Sequence, residues 1–433
     1  MYANSREALP ANLHLWDTPA TQTAILETKV WDIYPTNAID GSDTISFVIP
    51  GTTKYMLEKV ELISEIRVLN NDLTNPAANN DLSTAPHLAA ALYRNVDVSI
   101  GGVSLTQSFD NSYAMSKFWS DMLHNRHGVY PFLAQKEGFI PDSVLSKADS
   151  ENVVYFPADA NTTATNKNGA HRATRIAQGR KVHLVSDFNV SLFKQDKLLP
   201  TELDIRVNLT KNYSEFILLS AATKTEKVVF DSVILRCTFQ RPTDVILNLL
   251  NERLSKENAR FHADKTVLTF HPIAQGALEL TIQNLFNGRL PYYFLVGVQD
   301  RAALARDRTK NPFSLYPLKK VQLYTNGIEF FPKAIEQSAH DNTFMWDMLL
   351  NQSGYIHQGD TMLYDRYDCY PAIAFDLTQD KSVNAHGVNL SREGVARLTI
   401  GFEEETPPNR VLMVLACYEQ IVEVTKDRQV ILV

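Results

Sequence analysis

Apolar and polar positions along this chain mostly alternate in short runs, and only a few stretches show helical spacing. Val96-Asp97-Val98-Ser99-Ile100 alternates up to Gly101-Gly102 and resumes at Val103-Ser104-Leu105. Val321-Gln322-Leu323-Tyr324-Thr325 alternates up to Asn326-Gly327 and resumes at Ile328-Glu329-Phe330. Alternation on both sides of a Gly-Gly or Asn-Gly pair predicts a β-hairpin with a primed turn, because both central residues must take positive φ. The hairpins start at positions 96 and 321, 225 apart. Phe118, Asp121, Met122 and Leu123 are answered at a shift of 226 by Phe344, Asp347, Met348 and Leu349. Val30, Ile33 and Tyr34-Pro35 are answered at a shift of 237 by Val267, Phe270 and His271-Pro272. Three landmarks in one order, each displaced by about half the chain, predict an internal duplication.

The remaining pattern is all-β. Strands are predicted over 25–34, 44–49 and 60–69, in the hairpin 96–105, and over 182–193, 202–209 and 227–239. Turn chemistry such as Pro35-Thr36-Asn37, Asp40-Gly41-Ser42 and Pro50-Gly51-Thr52 stands between them. This makes a set of about eight, as in a sandwich. A second set runs over 266–271, 278–285, 292–298, 321–330, 372–376, 395–402 and 410–422. Residues 71–90, rich in Asn, Ala and Pro, read as a long loop. Short helices are predicted at 112–124, after the capping run Asp110-Asn111-Ser112, and near 342–351. Pro242 and Asp244 open a linker helix to Lys256, with residues 245, 246, 249, 250 and 254 on one apolar face. The expected organisation is an N-terminal arm (1–22), a first domain (23–240) with a polar surface insertion (134–180), the linker helix (241–256) and a second domain (257–433). The apolar end Gln429-Val430-Ile431-Leu432-Val433 should pair with a sheet edge of this chain or of a neighbour.

Length and composition sharpen this picture. A chain of 433 residues suits two cores of about 200 residues each. No run approaches the roughly 18 apolar residues of a membrane span, and the start lacks a signal-peptide pattern, so folding in the cytosol is expected. A net charge of −7 argues against a strong direct nucleic-acid binder, which would carry a basic surplus or stripe. The one basic cluster is Arg172, Arg175, Arg180 and Lys181, in a polar segment at the end of the insertion. Cys237, Cys369 and Cys417 fit neither a disulfide framework nor a metal spacing, and Cys237 and Cys417 read as buried thiols.

Candidate chemistry is thin. No nucleophile elbow, zinc-protease motif, Walker loop or dinucleotide fingerprint occurs. Gly101-Gly102 is a turn and opens no helix, so it is not a phosphate cradle. His124 and His127 are spaced to share a metal, but read better as cations at a helix C-terminus. Asp365, Asp368 and Cys369 read as a solvated loop with ion pairs, and Trp119 and Trp346 as core residues. No catalytic, cofactor-binding or metal-ligating residue is assigned, and a non-enzymatic structural protein is favoured.

Leu15-Trp16-Asp17-Thr18-Pro19-Ala20-Thr21-Gln22-Thr23-Ala24-Ile25, then Val30-Trp31-Asp32-Ile33-Tyr34-Pro35, resembles the opening of the major capsid proteins of Polinton/Maverick elements and adintovirus-like viruses. The hairpin Val96–Leu105 and Asn111-Ser112-Tyr113-Ala114-Met115 extend the resemblance over about 15–130. It implies a double jelly roll, two tandem eight-stranded antiparallel sandwiches. It also implies a homotrimeric, pseudo-hexagonal capsomer (hexon) tiling an icosahedral capsid around double-stranded DNA. Neighbouring capsomers and minor or penton proteins would be its partners, and the virion its location, with assembly in the cytosol or nucleus. The alternatives from other classes are a receptor- or carbohydrate-binding β-sandwich spike and a jelly-roll hydrolase.

Overall fold

The computed structural model describes residues 21–77, 82–106, 110–123, 131–142, 167–200, 202–220, 224–286, 288–331, 333–336, 342–353, 367, 370–381, 383 and 388–433. Most of the arm 1–22, the middle of the insertion (143–166), and His124, His127, Asp365, Asp368 and Cys369 lie outside these residues.

In the first half the strands are β1 (Ile25–Ile33), β2 (Thr44–Ile49), β3 (Met56–Leu69), β4 (Leu82–Thr84), β5 (Tyr93–Ile100), β6 (Val103–Ser104), β7 (Val182–Asp187), β8 (Leu199–Pro200), β9 (Ile205–Lys211), β10 (Leu218–Ser220) and β11 (Lys227–Pro242). In the second they are β12 (Ala259–Pro272), β13 (Glu279–Ile282), β14 (Arg289–Leu290), β15 (Tyr293–Asp300), β16 (Lys320–Thr325), β17 (Ile328–Glu329), β18 (Ile335–Glu336), β19 (Ile373–Asp376), β20 (Arg392–Glu393), β21 (Ala396–Gly401), β22 (Arg410–Val424) and β23 (Val430–Leu432).

The sheet orders are β1-β11-β3-β7 and β2-β9-β5-β6 in the first half, β12-β22-β15-β19 and β13-β21-β16-β17 in the second. Apart from short accessory strands, each half places its first, eighth, third and sixth strands in one sheet. Its second, seventh, fourth and fifth form the other. Every pairing is antiparallel. This wrapping of hairpins into two facing sheets is a jelly roll, made twice. The inward faces are those the alternation marks: Ile45, Phe47 and Ile49 on β2, Val60, Leu62, Ile66 and Val68 on β3, and Ile205, Val207 and Leu209 on β9 are all buried.

The two hairpins share one register: Ser99 faces Ser104 and Ile100 faces Val103, as Tyr324 faces Glu329 and Thr325 faces Ile328. Their tips are left-handed, with φ of 56° and 84° at Gly101 and Gly102 and 52° and 79° at Asn326 and Gly327. Asn tolerates this region because its short side chain can bond locally; here its Oδ1 accepts from Val395 N at 2.9 Å.

Several expectations shift. The supposed loop 71–90 contains β4 and a buried helical turn, Leu88–Ala91; both are too short for a period to show. The insertion 134–180 is not wholly a surface excursion, since Ile140, Asp142 and Arg172 are buried and Lys167–Ile176 is a helix against β4. The strand expected over 182–193 ends at Asp187, with a short 3-10 turn at Ser191–Phe193. β12 starts at Ala259 because Phe261 and Ala263 face inward between charged neighbours. The chain end pairs within this chain: β23 lies on Val422–Val424 of β22, beyond the stretch that β15 occupies.

The linker helix Asp244–Lys256 is capped by Thr243, whose Oγ1 accepts from Ile246 N and whose own N–H reaches Ala24 O. None of its residues is buried, and Val245 and Leu249 are more than half exposed.

Candidate functional site

The two rolls share one core, and the seam between them is built by the helix Ser112–Leu123 that follows the first hairpin. All of its residues but Ser116 and Ser120 are buried, the charged Lys117 and Asp121 included, so it is covered on several sides. Phe118 and Trp119 are at most 1% exposed. The Phe118 ring stacks on Phe313 of the second roll, centroids 4.2 Å apart, and meets Tyr370 edge-on at 5.3 Å. Gln299 Nε2 donates to Met115 Sδ at 3.6 Å and to Pro312 O at 3.0 Å.

A polar clasp closes the seam. Asp142 accepts from Arg172 Nη2 (2.6 Å) on one oxygen, and from Asn311 Nδ2 (2.9 Å) and the Tyr370 hydroxyl (3.1 Å) on the other. Arg172 also donates to the carbonyls of Thr84 and Ile140. One member of the basic cluster is therefore spent inside the protein, as a planar donor fork matched to carbonyl and carboxylate oxygens. Arg175 donates to Gln135 O, while Arg180 and Lys181 remain exposed.

Beside the clasp lies a charged cluster that the sequence reading missed. Lys117 Nζ donates to Asp121 Oδ2 and Glu137 Oε2, both at 2.9 Å, and all three side chains are nearly solvent-free. His87 Nδ1 accepts from Ala90 N at 3.3 Å, which places the ring hydrogen on Nε2, 2.8 Å from Asp121 Oδ2. The imidazole stacks on Phe139 at 4.6 Å. Burial pushes the His87 pKa down against the pull of Asp121, keeping the ring neutral. Burial also works against charge on Lys117, but Asp121 and Glu137 hold its pKa well above the ordinary value. His87, Asp121 and Glu137 could together offer three metal-ligand atoms, but the Lys117 ammonium sits on both carboxylates. This cluster already contains its cation. Its sequence signal was the i,i+4 pair Lys117/Asp121 among the apolar positions of one helix; Glu137 and His87 are distant in sequence.

A second cluster, His262, Asp264 and Glu419, spans β12 and β22, where Asp264 stands opposite Glu419. His262 bonds Glu419, which also accepts from Asn389 N and Nδ2. The bond to Glu419 raises the His262 pKa, whereas burial raises that of Asp264. Asp264 borders a cavity of about 300 Å³ between the rolls, lined also by Tyr113, Trp119, Ser191, Tyr292 and Cys417. Burial lifts the Cys237 and Cys417 thiols to about 12, so neither is a thiolate near neutrality. Trp119 is a core residue as expected, and Trp346 is half-buried.

No protein-family model and no curated protein matches the chain. Solved structures match it in fold. A structure from the Sputnik virophage superposes with a TM-score of 0.66 at 10% identity, covering 100% of this chain and 93% of that one. The Faustovirus major capsid protein gives 0.58 at 8% identity, covering 95% and 93%, and the mavirus major capsid protein 0.56 at 12%, covering 100% and 96%. The likeness runs the full length and identifies the fold as the double jelly roll of these proteins.

Proposed function

We propose that this chain is a major capsid protein without enzymatic activity, three copies of which form a pseudo-hexagonal capsomer of an icosahedral shell around double-stranded DNA. The observation that carries this reading is the repeated strand order of two rolls fused through one core. Three such chains present six similar sandwiches in a ring, so one gene product can meet its neighbours through near-repeated contacts. The capsid roles named for the mavirus and Faustovirus proteins support it, as does the resemblance of residues 15–35 to the Polinton/Maverick and adintovirus-like proteins. On this reading the functional units are residues 23–240 and 257–433, joined by 241–256, and the partners are other capsomers and minor proteins of the virion. Three chains at −7 carry −21, so the wall itself should bind DNA weakly. Light scattering of the purified protein should give the mass of three chains, and negative stain should show pseudo-hexagonal particles. A stable monomer, or tight salt-sensitive DNA binding, would overturn the proposal.

A further inference from the structure

The two clusters of histidine and carboxylates differ in their cations. Lys117 sits between Asp121 and Glu137 in the first, whereas among the described residues no lysine or arginine comes within ion-pair distance of Asp264 or Glu419 in the second. His262 and Asp264 are two apart on β12, so both side chains leave one face of the strand. Glu419 stands directly across from Asp264 on β22 and shares that face, and like charges opposed in this way repel. His262 Nε2 lies 3.5 Å from Asp264 Oδ1 but is hydrogen-bonded to Glu419 Oε2. Its single hydrogen goes to Glu419, and Asp264 Oδ1 is left buried without a hydrogen-bond partner. Lys194 and Lys197 act on the cluster only from a distance. Outer partners hold the carboxylates in place. Asn389 donates through N (3.1 Å) and Nδ2 (2.7 Å) to Glu419 Oε1, which leaves Oε2 turned toward His262. Asp264 N donates to Ser191 Oγ of the first roll at 2.6 Å.

We propose that His262 Nε2, Asp264 Oδ1 and Glu419 Oε2 bind a divalent metal ion, zinc fitting best, with water completing the coordination. The three atoms lie within 4.8 Å of one another. One imidazole and two carboxylates make a nitrogen and oxygen set that zinc takes. A tetrahedron with bonds of about 2.1 Å has edges of about 3.4 Å, close to the His262–Asp264 separation of 3.5 Å. The ion supplies the positive charge that the opposed carboxylates lack, and it gives Asp264 Oδ1 a partner. It takes the place of the hydrogen that His262 shares with Glu419, so the pH response of His262 is that of the metal-free chain. The His262 side chain is 40% exposed, which opens a path from solvent. Once bound, the ion braces β12 to β22 and, through Asn389 and Ser191, ties in the segment ahead of β20 and the first roll. The site is complete within one chain and does not depend on how copies assemble.

The test uses the full chain, stripped with a chelator and then dialysed. Calorimetric titration with zinc chloride should show one site per chain, and zinc should raise the melting temperature by a few degrees, an effect that chelator reverses. H262Q and D264N should each lose the calorimetric site. N389A should weaken it by about tenfold, as the loss of an outer partner does. H183Q, which changes an exposed histidine on β7, should leave it unchanged. D264N carries a second readout: without metal it should melt no lower than the stripped wild type, because the repulsion between opposed carboxylates is gone. A wild-type chain that takes up no zinc at micromolar concentration, zinc binding that survives in both H262Q and D264N, or a metal-free D264N less stable than the stripped wild type would overturn the site. Should H262Q fail to fold, D264N decides.

Discussion

The helices Ser112–Leu123 and Thr343–Ser353 share the pattern Phe-x-x-Asp-Met-Leu, at the end of the first and the start of the second, each after a hairpin of the same register. One lies in the seam between the rolls with its charges paired; the other keeps Met345, Met348, Leu349 and Leu350 against its own roll and leaves Phe344 in solvent. A repeat therefore transmits the inward face of an element faithfully. The opposite face is free to diverge, because its burial depends on what lies next to it. In the first copy that neighbour is another part of the chain, and the helix carries Lys117, where the second has Thr343, to compensate Asp121.

This contrast is breakable in graded steps. Phe118→Ala should destabilise the dissociated chain by about 4 kcal/mol through lost burial and a residual cavity. Phe344→Ala should stay within about 0.5 kcal/mol, as for an exposed site. Urea unfolding of the two variants measures the difference, and equal losses would mean that the helices are equivalent in the folded chain as well. Lys117→Met should cost about 3 kcal/mol or more, because Asp121 and Glu137 would remain buried without a counter-charge. Neutralising all three, with Asp121→Asn and Glu137→Gln added, should recover much of that loss in the same titration, since the penalty belongs to the uncompensated charges.

The hairpin tips sharpen the comparison on a smaller scale. Asn326→Val should cost about 1–2 kcal/mol, because a β-branched side chain clashes at φ 52°, and the Oδ1 bond to Val395 N is lost. Gly102→Ala should cost toward the lower end of that range, since a Cβ there meets no atom within 4 Å and only the backbone conformation resists. Thermal melts of the two variants separate these contributions.

The smallest expected effect is a pH response of opposite sign in the two rolls. Burial lowers the His87 pKa, so below its unfolded value of 6.5 the unfolded chain takes up a proton that the folded chain refuses. That contribution to stability is present above 6.5 and is lost as pH falls toward the folded pKa. His262 is raised by its bond to Glu419, so its contribution is full below 6.5 and is lost as pH rises through the folded pKa. His262 is part-exposed, which keeps its share small. Hydrogen exchange over roughly pH 5 to 8 should show the first roll weakening on the acid side and the second on the alkaline side, with His262→Gln removing the latter trend alone.

Much of the fold was readable in one dimension because the relevant physics is local. Strand alternation marks which side of β2, β3 or β9 faces inward, and Gly101-Gly102 and Asn326-Gly327 mark turns because few other residues tolerate positive φ. The same logic explains the misses. β4 and the turn Leu88–Ala91 are too short to display a period, and the buried ends of the insertion are polar because they are tied to partners elsewhere: Asp142 to Asn311 and Tyr370, Arg172 to Thr84 and Ile140.

By itself, the amino-acid sequence determined two rolls, their hairpin registers, a capped helix between them and a chain end destined for a sheet edge. All of these follow from backbone conformation and from the two-residue or 3.6-residue period of side chains. Tertiary structure alone decided that Lys117 meets Glu137 as well as Asp121, that Phe118 is covered by Phe313, and that Val245, Leu249 and Phe344 remain uncovered in the single chain. A hydrophobic period states that a face is apolar and is silent on what will cover it, since the covering group is chosen by contacts across the whole chain.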